Sequence, residues 1–295
     1  MYTLTKTRLK SRSIRWAGFG SLALAMILLL GLATEPQARD AFVDFTKAYY
    51  PAAKAALFNP AELYARSDDD LTFVNLPIVA LLFAPFAALD VSTAAALMTA
   101  IGAIATIAAC YLCIRYTNVT GWQRVLLVGL FVANGPLFYN LRIGNTSQYT
   151  LLLLLGALWL QPKRSVLAGC LLAIAGIIKV PLLLFGAYYV LRGRWRVVAG
   201  FVGTLLAIGL ASLLVFGPDL HVTWYQACIQ PFAGKPISAF NVQSVDGLLS
   251  RSLLGGGLRN WLPMQVDWSY KLVRYAILSL LVGSAIWVGW RAQPP

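Results

Sequence analysis

Charge is scarce in this chain. Only 12% of its 295 residues are Asp, Glu, Lys or Arg, against roughly 25% in an ordinary soluble domain, while 59% are hydrophobic. Together with a mean hydropathy of +0.70, this excludes a soluble globular domain and makes the chain an all-α polytopic membrane protein. Histidine occurs once, at His221, and a single imidazole cannot build a histidine-based metal site; its expected role is a loop or interface contact. Cysteine is limited to Cys110, Cys113, Cys170 and Cys228, mostly inside apolar runs. Cys110 and Cys113 read as small packing residues on one helix face, because a redox pair has its usual context in a soluble βαβ pattern. Acidic residues number eleven. Three of them, Asp68, Asp69 and Asp70, are consecutive, and consecutive carboxylates do not converge on one ion without further ligands. They read as a solvated loop, so neither a metal nor a cofactor is expected. No internal repeat relates the two halves.

What charge there is has a pattern. The net charge of +13 would suit nucleic acid, but the basic residues are dispersed around apolar runs. Lys6, Arg8, Lys10, Arg12 and Arg15 precede the first run. Arg115, Arg124, Lys163, Arg164, Arg192, Arg194, Arg196 and Arg291 flank later ones. These are cytoplasmic loop charges under the positive-inside rule, and they leave no case for a nucleic-acid partner.

The apolar runs then set the expected organisation of a single transmembrane domain. Residues 14–34 form one run of 21 residues, and about 20 are needed to cross the hydrocarbon. The run exceeds the ~7–15 residue core of a signal peptide and no small-residue cleavage site follows it, so it is expected to be an anchor leading outward. Residues 35–75 follow as an outer loop. Residues 76–216 form the helical core. Within the core, 76–89 is short and interrupted by Pro77 and Pro85, a pattern for a re-entrant or interfacial piece. Residues 91–114 span. Residues 125–139 and 149–160 flank a polar block at 140–148. Residues 166–191 are interrupted by Lys179-Val180-Pro181; they form either two short helices joined on the outer side or one tilted 26-residue helix with Lys179 in the hydrocarbon. Residues 217–270 make a second outer loop, and 271–295 hold the last span.

Residues 40–85 are the polar segment around which the chain is organised. Phe42, Phe45, Tyr49, Ala52, Ala53 and Ala56 recur at spacings of three and four, the apolar stripe of a helix lying on an interface. That stripe carries a carboxylate, Asp44, at the membrane surface.

The motif Asp44-Phe45-x-x-x-Tyr49-Tyr50-x-Ala52-Ala53, followed by Leu63-Tyr64 and then Asn75-Leu76-Pro77 running into Leu82-Phe83-Ala84-Pro85-Phe86, resembles the first outer loop of the polyprenyl-phosphate-mannose-dependent mannosyltransferases, glycosyltransferase family 87. Val74-Asn75-Leu76-Pro77 stands where that family more often has a Tyr-Pro-Pro run. The resemblance continues through Gly169 to Lys179-Val180-Pro181, through Arg192-Gly-Arg194-Trp195-Arg196, and through Asn241-x-Gln243-Ser244 ahead of Arg251. It covers about residues 41–253, and family members usually carry further helices. The resemblance implies a C-type glycosyltransferase-like transmembrane helical bundle, with its active site on the outer face of the cell membrane. It implies a polyprenyl-phosphate sugar donor, a lipid or glycan acceptor, inversion at the anomeric carbon, and Asp44 as catalytic base.

Residue chemistry fits that expectation. Transfer to a hydroxyl needs a base for the acceptor proton, and a membrane-surface carboxylate can serve. A phosphate leaving group needs positive charge where negative charge develops, and Lys179 and Arg142 stand in polar breaks able to supply it. Tyr49, Tyr50, Asn145, Gln148, Asn241, Gln243 and Arg251 are the expected substrate contacts. Blander readings stand beside these. Asp44 would then only solvate an interfacial helix, Lys179 would snorkel, and Arg142, Asn145 and Gln148 would form a polar turn. A transporter or flippase also builds broken helices around buried polar groups, and a membrane scaffold would tolerate neutralising Asp44 and Lys179.

Overall fold

The computed structural model describes residues 41–65, 73–240 and 242–291. The expected first span at 14–34, the acidic run Asp68 to Asp70, and Asn241 lie outside the described residues. Those described are helical, with no strand among them. The chain divides into two compact units, one ending at Trp224 and one beginning at Tyr225.

In the first unit a π-helical turn, Phe45–Tyr49, runs into α1 (Tyr50–Phe58). The stripe expected on this segment is buried: Phe45 and Ala53 are fully inaccessible, and Tyr49, Tyr50, Ala52 and Ala56 nearly so. What covers it is protein. Phe45 meets Phe86 edge-on at 5.6 Å, and Tyr49 stacks on Phe83 at 4.6 Å. Both partners lie on α2 (Pro77–Ala88), a short apolar helix whose Pro85 lacks an N–H for the ladder and falls in a 3₁₀ stretch.

α3 (Val91–Thr117) is 27 residues long, about 40 Å at 1.5 Å per residue, enough to cross a bilayer. Asp90 starts it, accepting hydrogen bonds from the N–H groups of Ser92 and Thr93 and from the Ser92 hydroxyl at 2.6 Å. The hydroxyls of Ser92 and Thr93 first, then the N–H groups, hold its carboxyl well below the usual range. α4 (Gly121–Val132) and α5 (Gly135–Arg142) are bent by 44° at the intervening break. α6 (Ser147–Leu160) is anchored to α3 by the Tyr149 hydroxyl, which donates to the Met98 carbonyl at 2.6 Å.

The run at 166–191 breaks at Lys179. α7 (Ser165–Ile178) stops there, and Lys179 is extended, with φ −131° and ψ 91°. α8 (Val180–Leu191) then folds back along α7. The Leu183 nitrogen lies 3.4 Å from where a Cβ on Gly176 would be, whereas seven residues of continuous helix separate two positions by about 10 Å. α9 (Trp195–Trp224) packs on α7 with backbone nearly touching backbone. A Cβ on Gly169 would lie 2.0 Å from the Val197 carbonyl oxygen, and one on Gly200 would lie 2.0 Å from that of Val166. Small residues at such a crossing allow the close van der Waals packing that holds helices together in lipid. On another side α9 exposes Leu206, Leu210 and Leu214, four residues apart and so on one face, as a lipid-facing surface requires.

In the second unit α10 (Val245–Leu253) is N-capped by Ser244, whose hydroxyl accepts from Gly247. α11 (Trp268–Arg291) exposes Leu272, Leu280, Leu281, Val282, Ile286 and Trp287. By length and composition α3, α9 and α11 can cross a membrane, and the bent pair α4–α5 adds a fourth candidate.

Candidate active site

The turn at 140–148 receives the segment that carries Asp44. The N–H of Phe42 donates to the Arg142 carbonyl at 2.8 Å, and that of Asp44 to the Ile143 carbonyl at 2.9 Å. Two backbone features make this approach possible. Gly144 has φ +72°, and a Cβ there would lie 2.6 Å from the Phe45 Cβ, so glycine meets both a conformational and a spatial demand. Phe42 itself has φ +59°, a strained conformation for a bulky residue that only surrounding structure can hold.

The docking places three side chains in line. The Asn145 amide nitrogen donates to Asp44 Oδ2 at 2.6 Å. Lys179 Nζ donates to Asn145 Oδ1 at 3.0 Å. The same oxygen accepts from the Ser147 hydroxyl at 2.9 Å and from the Ser147 N–H at 3.2 Å. The Ser147 hydroxyl also reaches Asn140 Oδ1 at 3.2 Å, and the Asn140 amide donates to the Pro136 carbonyl at 2.7 Å. Asn145 precedes α6 and Lys179 follows α7, so both stand at one end of this antiparallel pair. The basic turn at 161–164 is at the other end.

Asp44 and Lys179 make no direct ion pair among the described residues. Burial pushes the Asp44 carboxyl above its ordinary range; the Asn145 amide and then the Lys179 charge pull it back, without cancelling the rise. The result is a carboxylate of greater than usual basicity, with Oδ2 occupied and Oδ1 unengaged among the described residues. Lys179 likewise spends one N–H on Asn145, and its other two have no protein acceptor among the described residues. Such an arrangement can accept a proton at one end and hold an anion at the other.

The remaining expected site residues are spread differently. Arg142 is exposed in the last turn of α5; its carbonyl holds Phe42, but its guanidinium does not join the Asp44–Asn145–Lys179 line. The Tyr50 hydroxyl donates to the Leu89 carbonyl at 2.7 Å, inside the protein. Tyr49 is buried among aromatics, and burial pushes its phenol up to about 12, with the Thr146 hydroxyl near enough to oppose the shift without meeting hydrogen-bond geometry. Gln148 is fully buried, its amide donating to the Leu137 carbonyl at 3.1 Å, and its Oε1 has no partner among the described residues. In the second unit Gln243 donates to the Phe240 carbonyl, and Arg251 braces the loop before α10 through the carbonyls of Ser238, Ala239 and Val242. Sequence reasoning passed over Ser147 and Gly144. Asn at 145 with Ser two residues on, ahead of an apolar run, is the signal for an Asx turn at a helix start.

Among the described residues no group of three or more His, Cys, Asp or Glu side chains gathers around a common point. A family model, glycosyltransferase family 87, matches residues 73–295, about three quarters of the chain. The chain belongs to glycosyltransferase family 87. It is therefore a membrane glycosyltransferase, acting on a sugar donor and an acceptor. The family match includes Asn145 and Lys179 and runs to residue 295, further than the motif resemblance; it begins at 73, so the Asp44 segment precedes it. Comparison with curated proteins and with solved structures returns no match.

Proposed function

We propose that this family 87 enzyme transfers mannose from a polyprenyl-phosphate donor to a hydroxyl of a lipid or polysaccharide acceptor at the outer face of the cell membrane, with inversion. The observation that carries the reading is the hydrogen-bonded line from Asp44 through Asn145 to Lys179. Asp44 acts as general base through Oδ1. The acceptor oxygen, losing its proton to that atom, forms a bond to the anomeric carbon. The bond from that carbon to the phosphate oxygen breaks, and its electron pair stays on the phosphate. Lys179 meets the charge that develops there. A single displacement from the opposite face inverts the centre, with no covalent enzyme intermediate.

Outer-face orientation is supported by charge. Lys163 and Arg164 lie at the far end of the α6–α7 pair from Asn145 and Lys179, and basic connections face the cytoplasm. Because nucleotide sugars are made in the cytoplasm, an outward site calls for a lipid-carried donor. Arg142 is the second candidate cation for the donor phosphate; Asn241, Gln243 and Arg251 are proposed substrate contacts of the second unit by itself, whereas the burial of Tyr49, Tyr50 and Gln148 gives them to the packing behind Asp44 and Asn145.

The deciding experiment incubates purified protein with radiolabelled polyprenyl-phosphate sugars and a membrane lipid extract, wild type beside Asp44→Asn. Label should enter a lipid or glycan product with wild type alone. Flipping of the donor across vesicles without any transfer would instead favour a transporter. In a cysteine-free background, a cysteine at Arg142 should label from outside intact cells and one at Lys163 should not; the reverse pattern would overturn the orientation.

A further inference from the structure

We propose that Asn145 is a positioning residue that joins the base and the phosphate-binding cation into one unit, so that protonation of Asp44 during transfer releases the charge of Lys179 to the leaving phosphate. This rests on the function proposed above.

The orientation of the Asn145 amide is forced. Three donors converge on one of its atoms: Lys179 Nζ at 3.0 Å, the Ser147 hydroxyl at 2.9 Å and the Ser147 N–H at 3.2 Å. An ammonium and a backbone N–H only donate, so that atom is the oxygen, and the NH₂ faces Asp44 Oδ2 at 2.6 Å. A flipped amide would set N–H against ammonium at one end and carbonyl against carboxylate at the other. An amide reserved for substrate would keep its carbonyl open, but this one is saturated by protein donors. The Ser147 hydroxyl has one proton, shared between Asn145 Oδ1 at 2.9 Å and Asn140 Oδ1 at 3.2 Å, so the ammonium and the Ser147 N–H are the donors that fix the amide.

The bridge has a consequence for charge. Before transfer the Lys179 ammonium is shared with the Asp44 carboxylate through one polarisable amide, in a site partly removed from water. In the transfer step Asp44 takes the acceptor proton and becomes neutral while the phosphate oxygen gains an electron pair. The ammonium's attraction for the phosphate therefore grows along the reaction, and only an interaction stronger in the transition state than in the ground state raises the rate of the chemical step.

Among the described residues the titratable groups facing Asp44 are Lys179, from the α7–α8 break, and Tyr49, from its own segment; Tyr49 stays neutral across the working range. Full-length protein in lipid vesicles, labelled with ¹³C-aspartate, is titrated by difference infrared spectroscopy, and Asp44→Asn identifies the Asp44 band by removing it. Asn145→Ala should move the midpoint of that band upward by at least about one pH unit, since an opposing hydrogen bond and the link to the cation are both lost. The acidic limb of kcat should follow, with kcat reduced at least about tenfold and the donor KM nearly unchanged. Ser147→Ala should shift both in the same direction by less, because the Ser147 N–H still holds the amide oxygen. Asn145→Asp, close in size, sets a second carboxylate beside Asp44 and should raise the midpoint further; it decides the matter if the alanine variant does not fold. An unmoved midpoint in the folded variant, or a raised donor KM at unchanged kcat, overturns the proposal. A midpoint that moves while Asp44→Asn still transfers sugar supports Asn145 as the link between Asp44 and Lys179, but overturns Asp44 as the base and with it the release of charge.

Discussion

Two of the breaks in the apolar runs of the first unit, at Gly217 and at Lys179, are built to opposite ends. At Gly217, inside α9, the backbone leaves helical geometry with φ 71° and ψ 165°. The interruption is closed on the spot: His221 Nδ1 is 2.7 Å from the Gly217 carbonyl, and His221 Nε2 is 2.8 Å from the Ser212 hydroxyl. A carbonyl only accepts, so Nδ1 carries the proton, and in the neutral ring Nε2 accepts from Ser212. At Lys179 the helix also stops, but the side chain's one hydrogen bond among the described residues goes to a residue 34 positions away, and two N–H donors have no acceptor there. A break that serves only the path of a helix satisfies itself within a few turns of that helix. One that reaches across the fold and keeps hydrogen-bonding capacity in reserve is the place to look for chemistry.

That contrast is most severely tested by Asp44→Asn, at the far end of the Lys179 line. Asparagine keeps the size and can still accept from Asn145, but it cannot take a proton, so transfer should fall by at least about 10²-fold, with expression and donor binding near wild type. Glu62→Gln, at an exposed carboxylate of the same unit, should leave transfer intact. A sugar-transfer assay in which Asp44→Asn runs near the wild-type rate would dissolve the distinction between the two breaks.

The pH profile is a companion to that test. Burial raises the Asp44 pKa, and the working base is deprotonated, so activity should be lost as pH falls through a value above the ordinary aspartate range. The sign for stability is opposite. A carboxyl with a raised folded-state pKa favours the fold below its unfolded value, and that contribution fades as pH rises through the folded one. Asp44→Asn should therefore melt higher than wild type at neutral pH and lose that advantage in acid.

Lys179→Met should reduce the rate at limiting donor by about 10- to 150-fold, the equivalent of losing a charge-assisted contact of about 1.5–3 kcal/mol, while thermal unfolding stays near wild type. An unchanged rate removes Lys179 from the site. The smallest effect belongs to the self-contained break. His221→Ala should lower stability by about 1 kcal/mol, the typical worth of a hydrogen bond, and leave transfer unchanged. If it impaired kcat instead, the Gly217 break would have a role beyond the helix.

Much of this was open to a reading of residues. From Phe45 to Ala56 the stripe marked the buried face of its segment, because burial follows helical period whatever does the covering; Phe42, at φ +59° and only half-buried, falls outside that period. Period does not say what covers it, and the cover is Phe83, Phe86 and the rest of α2. Arg142 and Lys179 looked equivalent, each a cation in a polar break. The fold turns the Arg142 guanidinium out and engages Lys179, a difference made by contacts more than thirty positions distant. Tyr49 and Tyr50 were legible as a motif, but their use as packing against α2 and Leu89 was not.

Composition and the spacing of charges determined that this protein lives in a membrane and where its basic turns fall, because hydropathy is a sum over neighbours in the chain; whether the run at 166–191 breaks at Lys179 or continues was left open. The tertiary structure alone decided that Asp44 meets Asn145, 101 positions away, and that the same amide holds Lys179. Hydrogen bonds have a fixed direction and a reach of about 3 Å, so which polar groups share one depends on how the helices pack: on the reversal at Lys179, the close approach at Gly144, and the glycine crossing of α7 and α9.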